Sequence, residues 1–216
     1  MADRMQKASS AEEFLPAGRP SLTKLRKAAA DCRGCELWKR GTQTVFGEGA
    51  RSARVVLVGE QPGDAEDLAG RPFVGPAGGL LDRALERSGL VREELYVTNA
   101  VKHFKWVLRG KRRIHQKPRA TEIGACRPWL ESEVAVIRPE VIVVMGSTAA
   151  QALLGGGFKI TKERGRFFDG TEWAPATVAA TVHPSSILRV PDREARHAAF
   201  EALVQDLRRV AKRLAS

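Results

Sequence analysis

Four short runs of this chain are almost wholly apolar and rich in β-branched residues: 54–59 (RVVLVG), 95–100 (LYVTNA), 141–146 (VIVVMG) and 177–182 (TVAATV). Runs of this length without polar alternation suit strands buried on both faces. Between them the apolar positions take helical spacing. Residues 76–88 carry Leu80, Leu81, Ala84 and Leu85 along one side, and residues 121–137 predict a second helix. Residues 147–154 predict a third, with Ser147 as N-cap and Gly155 as stop, and 192–214 a long C-terminal one. Strand followed by helix, repeated, predicts an α/β protein: a three-layer α/β/α sandwich with a central four-stranded, mostly parallel sheet. A chain of 216 residues suits one such domain, here over 21–216, preceded by a polar, mixed-charge stretch (1–20) expected to be a flexible arm.

In open sheets of this kind the ligand site lies beyond the carboxyl ends of the strands. The first strand runs into Gly59-Glu60-Gln61-Pro62-Gly63-Asp64. The second ends at Asn99 and continues to Lys102 and His103. The fourth leads into His183-Pro184-Ser185-Ser186. A carboxylate, an amide and an imidazole are thereby directed to one crevice. Capping or loop hydrogen bonding accounts for each alone; the three together mark the crevice as the candidate site.

Charge adds a partner. There are 36 Lys and Arg against 25 Asp and Glu, a formal net charge of +11, which points to a polyanion, nucleic acid first. The cations concentrate around a segment expected to be a loop, from about Lys105 to Arg119, containing Lys111-Arg112-Arg113-Ile114-His115. Basic runs are commonly plain electrostatic patches. A histidine set among them is nevertheless a side chain that can be neutral and nucleophilic near neutral pH. No apolar run approaches the roughly 20 residues of a membrane span. The first ten residues lack the apolar core of a secretory signal, so a cytoplasmic monomer that engages no membrane is expected. The three cysteines, Cys32, Cys35 and Cys126, are odd in number. The C-x-x-C pair therefore points to a metal, a cluster or redox chemistry rather than to a disulfide framework.

The string GEQPGDAEDLAGRPFVGPAGG (59–79) resembles the first motif of the uracil-DNA glycosylase superfamily, particularly its iron–sulfur branch, and HPSS (183–186) resembles the second. Thr98-Asn99-Ala100-Val101-Lys102 sits where that branch has its asparagine. The resemblance covers about residues 28 to 210. GEQPGD together with KRRIH (111–115) is similar to the UdgX type, which binds uracil in DNA and becomes covalently attached to the abasic deoxyribose.

The resemblance implies roles for these residues. Uracil-containing DNA, single-stranded or with the base flipped out, is the partner. Phe73 would stack on the base, and the Asn99 amide would read the uracil edge and reject cytosine. His183 would donate to the carbonyl oxygen that gathers charge as the base leaves. His115 would capture C1′, with Glu60 orienting its ring, and catalysis would then rest on His115, Glu60 and His183. Gln61 and Asp64 would shape the pocket, with Asp64 or Asp67 also able to orient a water. Lys102, Lys105, Lys111, Arg112, Arg113, Ser185 and Arg189 would contact DNA. The branch normally has a fourth cysteine shortly after the asparagine, where this chain has His103. A [4Fe–4S] cluster on Cys32, Cys35, His103 and Cys126 is therefore implied. By spacing alone a Cys₃His zinc site fits equally, and His103 as a DNA contact stays open. Two functional alternatives also stay open: a turnover glycosylase with His115 on phosphate, and a noncatalytic binder of damaged DNA.

Overall fold

The computed structural model describes residues 10–215. Among them the strands are β1 (Glu48–Gly49), β2 (Val55–Gly59), β3 (Tyr96–Asn99), β4 (Trp106–Arg109), β5 (Arg112–His115), β6 (Val141–Met145), β7 (Phe167–Phe168) and β8 (Thr177–Thr181). The helices are α1 (Leu22–Ala29), α2 (Asp64–Ala69), α3 (Pro76–Ser88), α4 (Ala120–Ile137), α5 (Ser147–Leu154), α6 (Ile160–Glu163), α7 (Pro184–Leu188) and α8 (Arg193–Leu214).

The three-layer α/β/α architecture is present, with the order β1-β3-β2-β6-β8-β7. The four inner strands are parallel to one another and coincide with the four apolar runs. Every residue of β2, β3, β6 and β8 is buried. Successive side chains go to opposite faces. Val55, Leu57, Val141 and Val143 pack with Leu81 and Leu85 of α3 and with Leu203 and Leu207 of α8. Val56, Val58, Ile142 and Val144 pack with Leu130 of α4 and Leu153 of α5.

Four expectations change. The sheet has six strands, not four, because β1 and β7 add antiparallel edges of two residues each. Segments that short carry no periodicity. The basic segment is not an open loop: β4 and β5 form an antiparallel hairpin separate from the main sheet, pairing Trp106 with His115 and Arg109 with Arg112. Residues 10–20 do not form a free arm. Ser10 caps a 3₁₀ turn over Ala11–Phe14, and Ala11 is fully buried in a cluster with Leu25, Leu37, Phe46 and Trp129; the first half of the expected arm, 1–9, lies outside the described residues. Gly155 ends α5 as expected, but Gly146, not Ser147, occupies its N-cap. Among the described residues no helix is long and apolar enough to cross a membrane.

Candidate functional site

The carboxyl ends of β2, β3, β6 and β8 open into a cavity of about 740 Å³, lined among others by Glu60, Gln61, Phe73, Asn99, His115, Thr148, His183, Ser185 and Arg189. Backbone bonds from Ala100 N to Gly59 O and from Val101 N to Glu60 O hold the exits of β2 and β3 together. Gly59 is required by close approach. A Cβ there would lie 2.3 Å from Asn99 Oδ1 and 2.8 Å from Phe73 Cζ. Phe73 sits in the left-handed region at φ 56°, strained for a residue with a side chain. Its ring lies 5.9 Å from the His183 ring at an interplanar angle of 30°. The buried Asn99 amide, the Phe73 ring and His183 thus share one wall, suited to a flat polar heterocycle.

The hydrogen bonding of His183 defines its tautomer. Ser185 N donates to Nδ1 at 3.1 Å, and Ser185 Oγ is 2.9 Å from the same atom. With Nδ1 accepting, the ring proton resides on Nε2. Burial pushes the imidazolium pKa down to about 4, outweighing the attraction of Glu60. His183 therefore offers the cavity a neutral N–H donor, the group needed beside an oxygen that gains charge.

His115 ends β5 at the cavity mouth with its side chain 51 % exposed, and Nε2 lies 3.1 Å from Glu60 Oε1. That approach is a close contact without aligned hydrogen-bond geometry, and Oε1 is otherwise a buried acceptor with no partner. Burial alone would raise the Glu60 carboxyl. His115 and Thr148 outweigh it and hold the group below its ordinary value. Glu60 is therefore a carboxylate facing an imidazole.

The residues around this pair act differently from expectation. The Gln61 side chain accepts from Lys105 N at 3.1 Å and donates to Lys105 O and Gln116 O at 3.2 and 3.1 Å. It clamps both legs of the hairpin. Asp64 is not among the lining residues; it pairs with Arg113 at 2.5 Å. Asp67 is fully buried on Thr42 and Arg113, so it is not free to orient a water. Arg113 is thereby committed to the two aspartates and lies over Phe104 and Trp106, instead of being free for phosphate. Lys102 is also not a DNA contact. It is fully buried, and its Nζ donates to Glu133 Oε2, Thr98 Oγ1 and Asn99 O at 2.6, 2.6 and 2.8 Å. Lys105 pairs with Glu122 at 2.8 Å. Lys111 and Arg112 are exposed at the hairpin tip, and Ser185 and Arg189 stand at the cavity rim, so these four remain available to DNA. Sequence reasoning missed Thr148, Ser186 and Lys117, which also line the cavity. The strand-end rule applied to β6 would have reached Thr148.

Cys32, Cys35 and Cys126 share the cluster around Trp129. Cys126 Sγ accepts Lys102 N at 3.2 Å, and Cys32 Sγ accepts Trp129 Nε1 at 3.3 Å. Burial pushes the Cys126 thiol up to about 12 and raises Cys35. Cys126 and Cys32 each receive an N–H donor at sulfur, as the thiolates of iron–sulfur clusters commonly do. His103 Nε2 instead lies 3.0 Å from Thr44 Oγ1, and burial pushes its imidazolium down to about 4. Among the described residues no three His, Cys, Asp or Glu side chains are grouped to hold a single metal ion.

The chain matches the sequence model of the uracil DNA glycosylase superfamily over residues 46–208. It is 39 % identical over 172 residues to a type-4 uracil-DNA glycosylase of Thermotoga maritima, covering 79 % of this chain and 84 % of that one. A type-4 uracil-DNA glycosylase of Sulfurisphaera tokodaii is 35 % identical over 181 residues, covering 80 % and 78 %. A type-5 uracil-DNA glycosylase of Pyrobaculum aerophilum is 29 % identical over 185 residues, covering 78 % and 77 %.

Proposed function

Since this chain belongs to the uracil DNA glycosylase superfamily, we propose that it excises uracil from DNA and is then captured through His115 on C1′ of the deoxyribose, as the UdgX type does. The observation that carries this reading is the His115–Glu60 contact at the mouth of the cavity that holds Phe73, Asn99 and His183. A glycosylase needs only the inner wall. An imidazole facing a carboxylate beside it supplies a nucleophile.

Uracil flipped from a duplex, or met in a single strand, enters beneath Phe73. The Asn99 amide pairs with its edge. A cytosine there would leave a mismatched donor, at a cost of about 1–3 kcal/mol. As the C1′–N1 bond breaks, its electrons leave with the base, and His183 Nε2–H stabilises the carbonyl oxygen that receives them. The sugar becomes oxocarbenium-like. Alignment of the 3.1 Å Glu60–His115 contact into a hydrogen bond would fix the proton on Nε2, leaving the other ring nitrogen to give its lone pair to C1′. The imidazolium so formed is balanced by the Glu60 carboxylate. Its position replaces a bimolecular encounter by an intramolecular step. In this reading Cys32, Cys35, Cys126 and His103 hold a [4Fe–4S] cluster, which supplies a structural tie between the N-terminal segment and α4.

Similarity to the type-4 uracil-DNA glycosylases favours a second reading, in which water takes C1′ and His115 only contacts DNA. A denaturing gel with uracil-containing oligonucleotide separates the two. Stoichiometric slow-migrating product that survives denaturant and high salt is expected, with a deoxyribose remnant on the peptide containing His115 by mass spectrometry. Free uracil in excess of protein selects the turnover glycosylase. Binding without bond cleavage refutes both. Iron and acid-labile sulfide, about four of each per chain, are expected in anaerobically purified protein; stoichiometric zinc without sulfide would reject the cluster.

A further inference from the structure

Helix α7 separates two concave surfaces. Ser185 and Ser186 line the cavity just described, while Ile187 and Leu188 line a second groove of about 620 Å³ whose other walls are α3 and α8. That groove has an apolar floor and a cationic rim. Arg83 and Arg87 of α3 lie 5.8 and 5.7 Å from the Phe200 ring. Arg193 and Arg196 enter from the first turn of α8. Arg87 pairs with Glu201 and is partly neutralised. Arg83 and Arg193 are exposed and have no carboxylate partner among the described residues.

We propose that this groove holds the backbone of the single-stranded DNA flanking the nucleotide in the cavity. Phosphates would lie on Arg83 and Arg193, and a neighbouring base over the Phe200–Leu188 floor. The inference rests on reading the cavity as a uracil pocket in DNA. Three observations support it. The groove adjoins that cavity across the single five-residue helix α7, whose Ser185 and Ser186 line one side and whose Ile187 and Leu188 line the other. Its unpaired cations, Arg83 and Arg193, outnumber the one unpaired carboxylate in the lining, Glu86, and are guanidiniums, which fork onto phosphate and also stack on flat rings. It sits at the amino end of a 22-residue helix, where the peptide dipoles favour an anion. Aromatic floor plus cationic rim is the arrangement that accepts single strands without reading their sequence.

The test is binding by fluorescence anisotropy to oligonucleotides carrying 2′-fluoro-2′-deoxyuridine, whose fluorine resists bond cleavage and keeps the complex noncovalent. One oligonucleotide has a single nucleotide on each side; two others are extended by about eight nucleotides on one side or the other. Wild-type protein should gain about tenfold or more in affinity from one of the two extensions. Arg83→Ala/Arg193→Ala should erase most of that gain and leave the short oligonucleotide within about twofold of wild type. Its salt slope on the long strand should fall by about 1.4, the single-strand value of about 0.7 for each of two phosphates. Arg51→Ala/Arg138→Gly, the same charge removed near the amino ends of β2 and β6, should keep the gain; Arg138 is left-handed at φ 56°, where glycine fits.

An equal loss on short and long strands, a gain that survives in the groove variant, or the same loss in the control pair would overturn the proposal. Matching oligonucleotides with thymidine separate the two layers of the argument. Uridine preference on the short strand tests the pocket. Arginine dependence on the long thymidine strand tests the groove alone.

Discussion

At the scale of the residue, the proposed chemistry divides between an inner donor and an outer nucleophile, and each has its own test. In the proposed capture step, Glu60 balances the charge that appears on His115. Glu60→Gln keeps the shape and removes that charge. It should slow adduct formation by about 10²-fold, the usual size of one positioned polar group, with no compensating rise in released uracil. Quenched time points on a denaturing gel measure this; an unchanged rate would remove Glu60 from the capture step. His183 bears on stability as well. Its imidazolium pKa falls from an ordinary 6.5 to about 4 in the folded protein. Between those values the unfolded chain binds more protons, so stability falls as pH drops from about 6.5 toward 4 and gains nothing further from this residue below that. Melting temperatures taken at several pH values should show the decline, and His183→Asn should flatten it relative to wild type.

At the scale of the element, the hairpin β4–β5 is held from outside. Gln61 ties its two ends, and Arg113 ties its second strand to Asp64 and Asp67. The pocket wall does not depend on those bonds. Gln61→Ala should therefore lower adduct yield while uracil release continues, because a loosened hairpin lets water reach C1′ first. Simultaneous assay of adduct and free base reads the ratio, and a proportional loss of both would contradict separate duties for wall and hairpin. The wall has its own constraint at the exit of β2. Gly59→Ala drives a methyl group into Asn99 and Phe73. Overpacking of this kind costs about 1–3 kcal/mol. It should abolish uracil preference while leaving salt-sensitive DNA binding, which depends on distant cations.

At the scale of the whole molecule, Lys102 joins the parts. Its backbone N–H donates to Cys126 Sγ, and its Nζ holds both Glu133 and the carbonyl of Asn99. Glu133 also accepts Tyr96 Oη and Gly47 N, so one buried ion pair ties α4, β3 and the segment leading into β1. Removing one partner leaves the other charged in an apolar interior, at about 3–5 kcal/mol. Lys102→Ala should accordingly lower the melting temperature sharply. Arg112→Ala, at the exposed hairpin tip, should leave it unchanged and reduce the salt dependence of DNA binding. Equal effects of the two substitutions would mean that Lys102 acts as a surface cation after all.

Much of this architecture is written in local pattern. The four inner strands and the helices α3, α4, α5 and α8 follow from runs and spacings within a dozen or so residues, because burial on one or two faces imposes a period on the chain itself. The placement of Glu60, Asn99 and His183 follows as well, since strand ends in a parallel sheet share one edge. Only the tertiary structure decided what depends on a distant partner. Lys102 and Arg113 read as two more cations in a basic stretch until Glu133, Asp64 and Asp67 are set beside them. A two-residue edge strand such as β1 or β7 exists only because a neighbour completes its ladder. His115 looks like one member of a charged run until the hairpin, held by Gln61 and Arg113, brings its ring to 3.1 Å from Glu60. Hydrophobic burial is a property of a segment and shows in composition. Charge pairing is a property of two positions, and its meaning appears when the fold brings them together.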